Sequence, residues 1–310
     1  SGRSDFGLRF HTRTRQTPPG TLRGTMGKGP GKFSDLGKAA ADLLSKDFGV
    51  GKNTVELKTK APDAVTLTTN GAHKPGGAAD ASVQAECKPG KGLTVKGKID
   101  TAGVTSTSFE LDGTLMSGLK ATLAAATPPL DKSGMVSSVA LALDFNTDLV
   151  SAACSYDALK GGAAFSGVTA LGALKGGVAL GYDASKGALK SYAAKAAFTG
   201  PTYLLAGGLK GDPKGGLEYG CAYHHAVSRD MEVAAEVLFC PGGKTSIAAA
   251  SSWALDPETT VKAKVDTSGA LALSYKHKLN KATTVVLAGC FDVNLDASKT
   301  KTGIALTISP

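Results

Sequence analysis

The stretch TVKAKVD, residues 260–266, decides the fold. Val261, Ala263 and Val265 alternate with Lys262, Lys264 and Asp266. Successive side chains of a strand point to opposite faces, so this is a strand with one apolar and one charged face. The pattern recurs in both directions. GLTVKGKID (92–100) sets Leu93, Val95 and Ile99 against Lys96, Lys98 and Asp100, and TVELKTKA (54–61) sets Val55 and Leu57 against Glu56, Lys58 and Lys60. DMEVAAEVLF (230–239) sets Met231, Val233, Val237 and Phe239 against Glu232 and Glu236. ALALSYKHKL (270–279) sets Leu271, Leu273, Tyr275 and Leu279 against Ser274, Lys276 and Lys278, and TGIALTISP (302–310) turns Ile304, Leu306 and Ile308 to one side.

Turn signals separate these strands: HKPGG (73–77), CKPGKG (87–92), DASKG (183–187), GDPKGG (211–216), CPGGK (240–244), LDPE (255–258) and LNKA (279–282). Glycine supplies positive φ and proline presets φ, so these read as hairpin links. Between residues 52 and 310 the spacing predicts about nineteen strands, at roughly 14 residues per strand and turn. No helical period recurs between them, which predicts an antiparallel meander.

Such a sheet can be a soluble β protein, a β-solenoid or a membrane barrel. The apolar residues are mostly small, and only 6% of the chain is aromatic. A sandwich would want bulkier inner faces, whereas a barrel needs an apolar outer band around a polar interior. Turning Lys262 and Lys264 to lipid would cost roughly 2–4 kcal/mol each at mid-depth, so a barrel would keep them inside. Closure would also remove the edges that so long a sheet would expose. The composition favours the barrel and leaves the soluble alternatives open.

The totals add constraints. The net charge is +9 over 310 residues, but Arg3, Arg9, Arg13, Arg15, Arg23, Lys28 and Lys32 face only Asp5 within residues 1–32. That leader holds +6, leaving +3 for the rest, a poor basis for a nucleic-acid-binding body. It is expected to be a disordered extension, with Met26 as an alternative start; a transit peptide is the other reading. The five cysteines (Cys87, Cys154, Cys221, Cys240, Cys290) are scattered and odd in number, which suggests reduced thiols. No run of 18 apolar residues exists, which excludes a transmembrane helix but not barrel strands of roughly 9–11 residues.

One segment breaks the period. FSDLGKAAADLLSKDFGVG (33–51) puts Phe33, Leu36, Ala40, Leu43 and Leu44 on one helical arc and Asp35, Lys38, Asp42, Ser45 and Lys46 on the other. Ser34 is the expected N-cap, with Asp35 in the first turn and Lys46 in the last. About 14 residues is marginal for a lone helix in water, so its apolar arc must dock. Gly49 and Gly51 give a hinge into the first strand.

This segment, followed by VELKTKA, resembles the start of the mitochondrial voltage-dependent anion channel (mitochondrial porin) family, with its YADLGK…D…K…YGFG helix and LDLKTK strand. SGLKATL (117–123) resembles that family's GLK strand, ALGYDA (179–184) its LGYEG, LDPETTVKAKVD (255–266) its IDPDACFSAKV, and LALSYKHKL (271–279) its GLGYTQTL. The resemblance spans residues 33–310. It implies an all-β membrane barrel in the mitochondrial outer membrane, closed by a parallel first and last strand pair, with the helix inside the pore. Nineteen is that family's strand number, so the count above is not independent of the resemblance.

The resemblance also implies a voltage-gated, weakly anion-selective pore passing ATP, ADP, phosphate and small metabolites passively, with no cofactor and no enzyme chemistry. Nucleotide and anion contacts carry over to Lys38 and Lys46. Asp35, Asp42, Lys58, Lys60, Lys96, Lys98, Lys120, Lys262, Lys264, Lys276 and Lys278 are expected to line the pore. Membrane lipids surround such a barrel; further copies of the chain and cytosolic kinases are candidate partners, and nucleic acid is not. The chain departs from the family at Ala41, where animal members often carry Arg. It departs again at Gly97, which aligns with a lipid-facing glutamate. A dinucleotide site near residues 270–272 and 288–292 matches poorly. The runner-up in the same membrane is a protein-import pore of the related translocase barrel family.

Other chemistry is weakly signalled. CPGGKT (240–245) resembles a P-loop tail, but Leu238 stands where the first glycine belongs, so a hairpin turn is the better reading. In CAYHH (221–225), His224 and His225 point to opposite faces of a strand and cannot both join Cys221 on a metal. Trp253 and Tyr275 are candidates for an interfacial girdle.

Overall fold

A computed structural model describes residues 29–61, 65–129, 136–213, 215–292 and 300–309. The expected leader therefore falls outside the described residues, except for 29–32. Among the described residues one helix precedes nineteen strands. The helix is α1 (Lys38–Ser45). The strands are β1 (Asn53–Lys60), β2 (Val65–His73), β3 (Ala79–Gly90), β4 (Leu93–Asp100), β5 (Thr105–Asp112), β6 (Leu119–Ala126) and β7 (Ser138–Asn146). There follow β8 (Val150–Asp157), β9 (Gly162–Leu171), β10 (Leu174–Asp183), β11 (Ala188–Thr199), β12 (Tyr203–Gly211) and β13 (Leu217–Ala226). The last are β14 (Met231–Phe239), β15 (Ser246–Ala254), β16 (Thr259–Asp266), β17 (Ala270–Lys278), β18 (Thr283–Asp292) and β19 (Lys301–Ile308).

Each strand pairs antiparallel with the next, and β1 closes the sheet by pairing parallel with β19, Val55 beside Leu306. An odd number of meander strands leaves the first and last running the same way, so only a parallel pair can close the ring. All five cysteines are free.

The register sorts the two faces. Val261 pairs with Trp253 and Tyr275, whereas Lys262 pairs with Ser252 and Ser274. The apolar set points outward and stays exposed all round: Leu57, Val83, Ile99, Phe109, Leu141, Phe165, Leu205, Ile247, Leu273 and Ile304 are each more than a third accessible. A continuous apolar belt of this extent is covered by lipid, not water. No helix among the described residues is long and apolar enough to cross a membrane; the strands do so.

The buried residues lie mostly inside the barrel, beneath the N-terminal segment. Leu36, Val168, Ala197 and Ala206 form one cluster; Ala40, Leu43, Leu44, Ala234 and Ala250 form another. Burying a leucine contributes about 1.5–3 kcal/mol, so these contacts dock a helix too short to persist alone.

The helix is shorter than its sequence pattern predicts. Phe33–Asp35 forms a 3-10 turn, and α1 begins only at Lys38 with Gly37 as N-cap in the left-handed region. Ser34 is therefore not the cap. The break lets Leu36 reach one apolar cluster while Leu43 and Leu44 reach the other.

Candidate functional site: the lumen and its inner belt

Residues 29–52 run as a belt along the inner wall, crossing it in strand order. At the entry, Pro30 is fully buried and Lys32 Nζ bonds Asp144 Oδ2 on β7 at 2.9 Å, so residues 29–32 are seated on the wall. The Phe33 ring lies over Gly177 of β10 and carries the Lys195 ammonium 5.3 Å from its centroid. Leu36 packs on β9, β11 and β12, and α1 packs on β13, β14 and β15. Beyond α1, Asp47 reaches β16 and β17. The exit runs along β19, where Gly51 N–H donates to Thr302 O at 2.9 Å.

The wall under the belt is built from small residues. Ala222, Ala234, Ala248 and Ala250 face α1, and a Cβ on Gly37 would stand 3.0 Å from the Ala206 Cβ. Larger side chains at these inward positions would push the helix into the lumen. Alanine at inward positions of β11–β15 was the sequence signal for this docking strip. Light residues on both faces hid it.

The polar arc of α1 faces the lumen. Asp42 accepts from Lys46 Nζ at 2.8 Å along the helix. Asp35 instead turns back to accept from the Lys32 backbone N–H at 3.0 Å. Lys38 and Ala41 are exposed, and Lys38 has no ion-pair partner among the described residues. At the hinge, Gly51 has φ +73°, but Gly49 is not in the left-handed region; the other residue there is Asp47, also at φ +73°.

By register, the wall lysines singled out from the sequence lie on the lumen side: Lys58 and Lys60 on β1, Lys96 and Lys98 on β4, Lys120 on β6, Lys262 and Lys264 on β16, Lys276 and Lys278 on β17. Carboxylates match several of them. Lys58 pairs with Glu56 at 2.6 Å, and Glu110 takes Lys96 at 2.7 Å and Lys120 at 2.8 Å. Asp47 takes Lys262 at 2.7 Å and Lys276 at 3.6 Å. Lys38, Lys60, Lys98, Lys264 and Lys278 have no such partner among the described residues.

Burial pushes the Asp47 carboxyl up, but the hydrogen bonds and charges of Lys262 and Lys276 outweigh it and hold the group below the usual carboxylate range. The sequence reading missed Asp47, Asp144 and Glu110. Asp47 and Asp144 find their lysines only because the belt crosses the barrel interior. Glu110 meets Lys96 and Lys120 only through the register of the neighbouring strands β4 and β6.

The other motifs fall as follows. His224 is inward and 2% exposed, with Nε2 3.5 Å from Glu232 Oε2, whereas His225 faces outward with Nδ1 2.7 Å from the Tyr223 hydroxyl. Residues 240–245 form the turn between β14 and β15. Trp253 and Tyr275 are outward and exposed near one rim. Gly97 lies on β4 among outward residues, with open space where a side chain would stand.

A closed barrel with an apolar exterior, a charged lumen and an internal belt is a membrane channel. The sequence model of the eukaryotic porin family matches residues 29–303, and the chain belongs to that family. The mitochondrial outer membrane protein porin of Candida albicans is 30% identical over 268 residues, covering 85% of this chain and 93% of that protein. The non-selective voltage-gated ion channel VDAC2 of Xenopus laevis is 27% identical, covering 90% of this chain and 99% of its own length; that of Homo sapiens is 26% identical, covering 90% and 95%. The chain is accordingly a voltage-gated channel of the mitochondrial outer membrane that passes small solutes.

Proposed function

We propose that this channel passes ATP, ADP, phosphate and other small metabolites by passive diffusion, with a mild preference for anions. The observation that carries this reading is the set of lumen lysines without a carboxylate partner among the described residues: Lys38, Lys60, Lys98, Lys264 and Lys278. They draw anions by charge without forming a closed site, so a solute can leave as readily as it enters. A body charge of only +3 supports a weak bias, in keeping with relatives named non-selective. Passive passage asks for no covalent chemistry, and the protein acts as a pore and not as an enzyme. Lys38, on the exposed arc of α1, is the helix's free cation for a passing nucleotide phosphate; Lys46 shares its charge with Asp42.

The test is the reversal potential of the reconstituted channel in a KCl gradient. A mild anion bias that shrinks at high salt is expected, because exposed charges are screened within about 3 Å at 1 M. Strong cation selectivity would overturn the reading. Replacing Lys38 and Lys46 together by Gln should reduce the bias.

A further inference from the structure

We propose that Asp47 is a selectivity-determining residue of this channel: its carboxylate clasps the end of the inner belt to the wall and masks Lys262 and Lys276 from the lumen. The inference rests on the anion-preference reading above and adds to it which wall charges are withheld.

Four observations converge on Asp47. Both carboxylate oxygens are used, Oδ2 on Lys262 at 2.7 Å and Oδ1 on Lys276 at 3.6 Å, so one side chain bridges β16 and β17. The side chains of Asp47 and Lys262 are only 19% and 14% exposed and that of Lys276 is 38%, against 58% for Lys46, so Lys262 is the more deeply masked of the two. Asp47 is the one residue other than glycine with positive φ among the described residues. Side chains disfavour that conformation, and Asp tolerates it better than most. Ser274, opposite Lys262 in the register, is 3% exposed, so the inner wall is covered at this point.

The belt's anchoring changes character at this point. Over β11–β15 it rests on alanines, and the apolar contact ends at Ala250. The next strands offer Lys262 and Lys276 at inward positions instead. An apolar residue at position 47 would leave the Lys262 ammonium covered by the chain, with Lys276 beside it, and neither would have its ion-pair partner. The carboxylate resolves this and, in doing so, removes both lysines from the charges a passing ion meets. The wall can thus carry lysines that act on solutes only when the belt lifts.

The experiment uses the full chain reconstituted in bilayers, with Asp47→Asn and Asp47→Gly. Asn keeps the shape and tolerates positive φ; Gly removes the side chain and relaxes the backbone. Both should shift the reversal potential in a KCl gradient toward stronger anion preference relative to the unsubstituted channel. In parallel, acetylation by a water-soluble succinimidyl ester, read by mass spectrometry, should become about fivefold faster at Lys262, the factor matching loss of roughly 1 kcal/mol of ion pairing. Lys60, remote from the belt's end, should be unchanged. Equal reversal potentials in all three proteins, an Asn shift that Gly fails to reproduce, or unchanged Lys262 labelling would each overturn the proposal. An unsubstituted channel that prefers cations would sink the anion-preference reading, yet the direction of the shift between variants would still decide the role of Asp47.

Discussion

Gly303 on β19 lies directly against the backbone of Gly49. A Cβ built at Gly303 would overlap the Gly49 carbonyl oxygen and would stand 2.9 Å from the Lys52 carbonyl. The belt leaves the lumen through a gap that one hydrogen atom of glycine keeps open, beside the parallel β1–β19 seam that closes the barrel.

Gly303→Ala is therefore expected to destabilise the folded barrel, because two backbone segments cannot yield as a flexible side chain would. Overpacking of this kind costs about 1–3 kcal/mol. Thermal unfolding in detergent checks it. A midpoint equal to that of the unsubstituted protein would contradict this packing.

Glu110 gives a second prediction. It is 16% exposed and shares its carboxylate between Lys96 and Lys120. Glu110→Gln keeps the shape and removes the ion-pair partner that both ammonium groups share. Anion preference in a salt gradient should rise, by less at high ionic strength. A shift toward cations would show that these lysines do not reach permeating ions.

The outward face is testable by contrast. Leu273 faces outward at 41% exposure, midway along β17, whereas Lys264 on the adjacent strand faces the lumen. Leu273→Lys places a charge in lipid at a cost of about 2–4 kcal/mol near mid-depth. Lys264→Leu imposes no such burial. The first variant should insert into liposomes poorly and the second normally; equal yields would argue against this assignment of faces.

Acid should loosen the belt. The Asp47 carboxyl is held below its ordinary range by Lys262 and Lys276. A group with a depressed folded-state pKa contributes stability that is fully present above the unfolded value, about 4 for Asp, and is lost as pH falls through the folded value. Through this residue the channel should behave alike from pH 8 to 5, with added current substates appearing only below about pH 4. Asp47→Asn should show those substates already at neutral pH. Single-channel recording across pH checks both.

The alternation in residues 260–266 and its repeats was enough to set the strands and to sort each side chain to one face or the other, because the period of a strand is a local property. The same logic placed every singled-out wall lysine on the charged face, and the arc of Leu36, Leu43 and Leu44 announced a segment that must dock. The tertiary structure decided the rest. Amphipathicity says that one arc is buried, not which alanines bury it. It also cannot show that Gly37 splits the helix so that two clusters are reached. Nor does a lysine on the inner face reveal whether a carboxylate answers it. Lys262 and Asp47 meet only because the barrel closes and the belt crosses its interior, so the effective charge of the pore is a property of that closure.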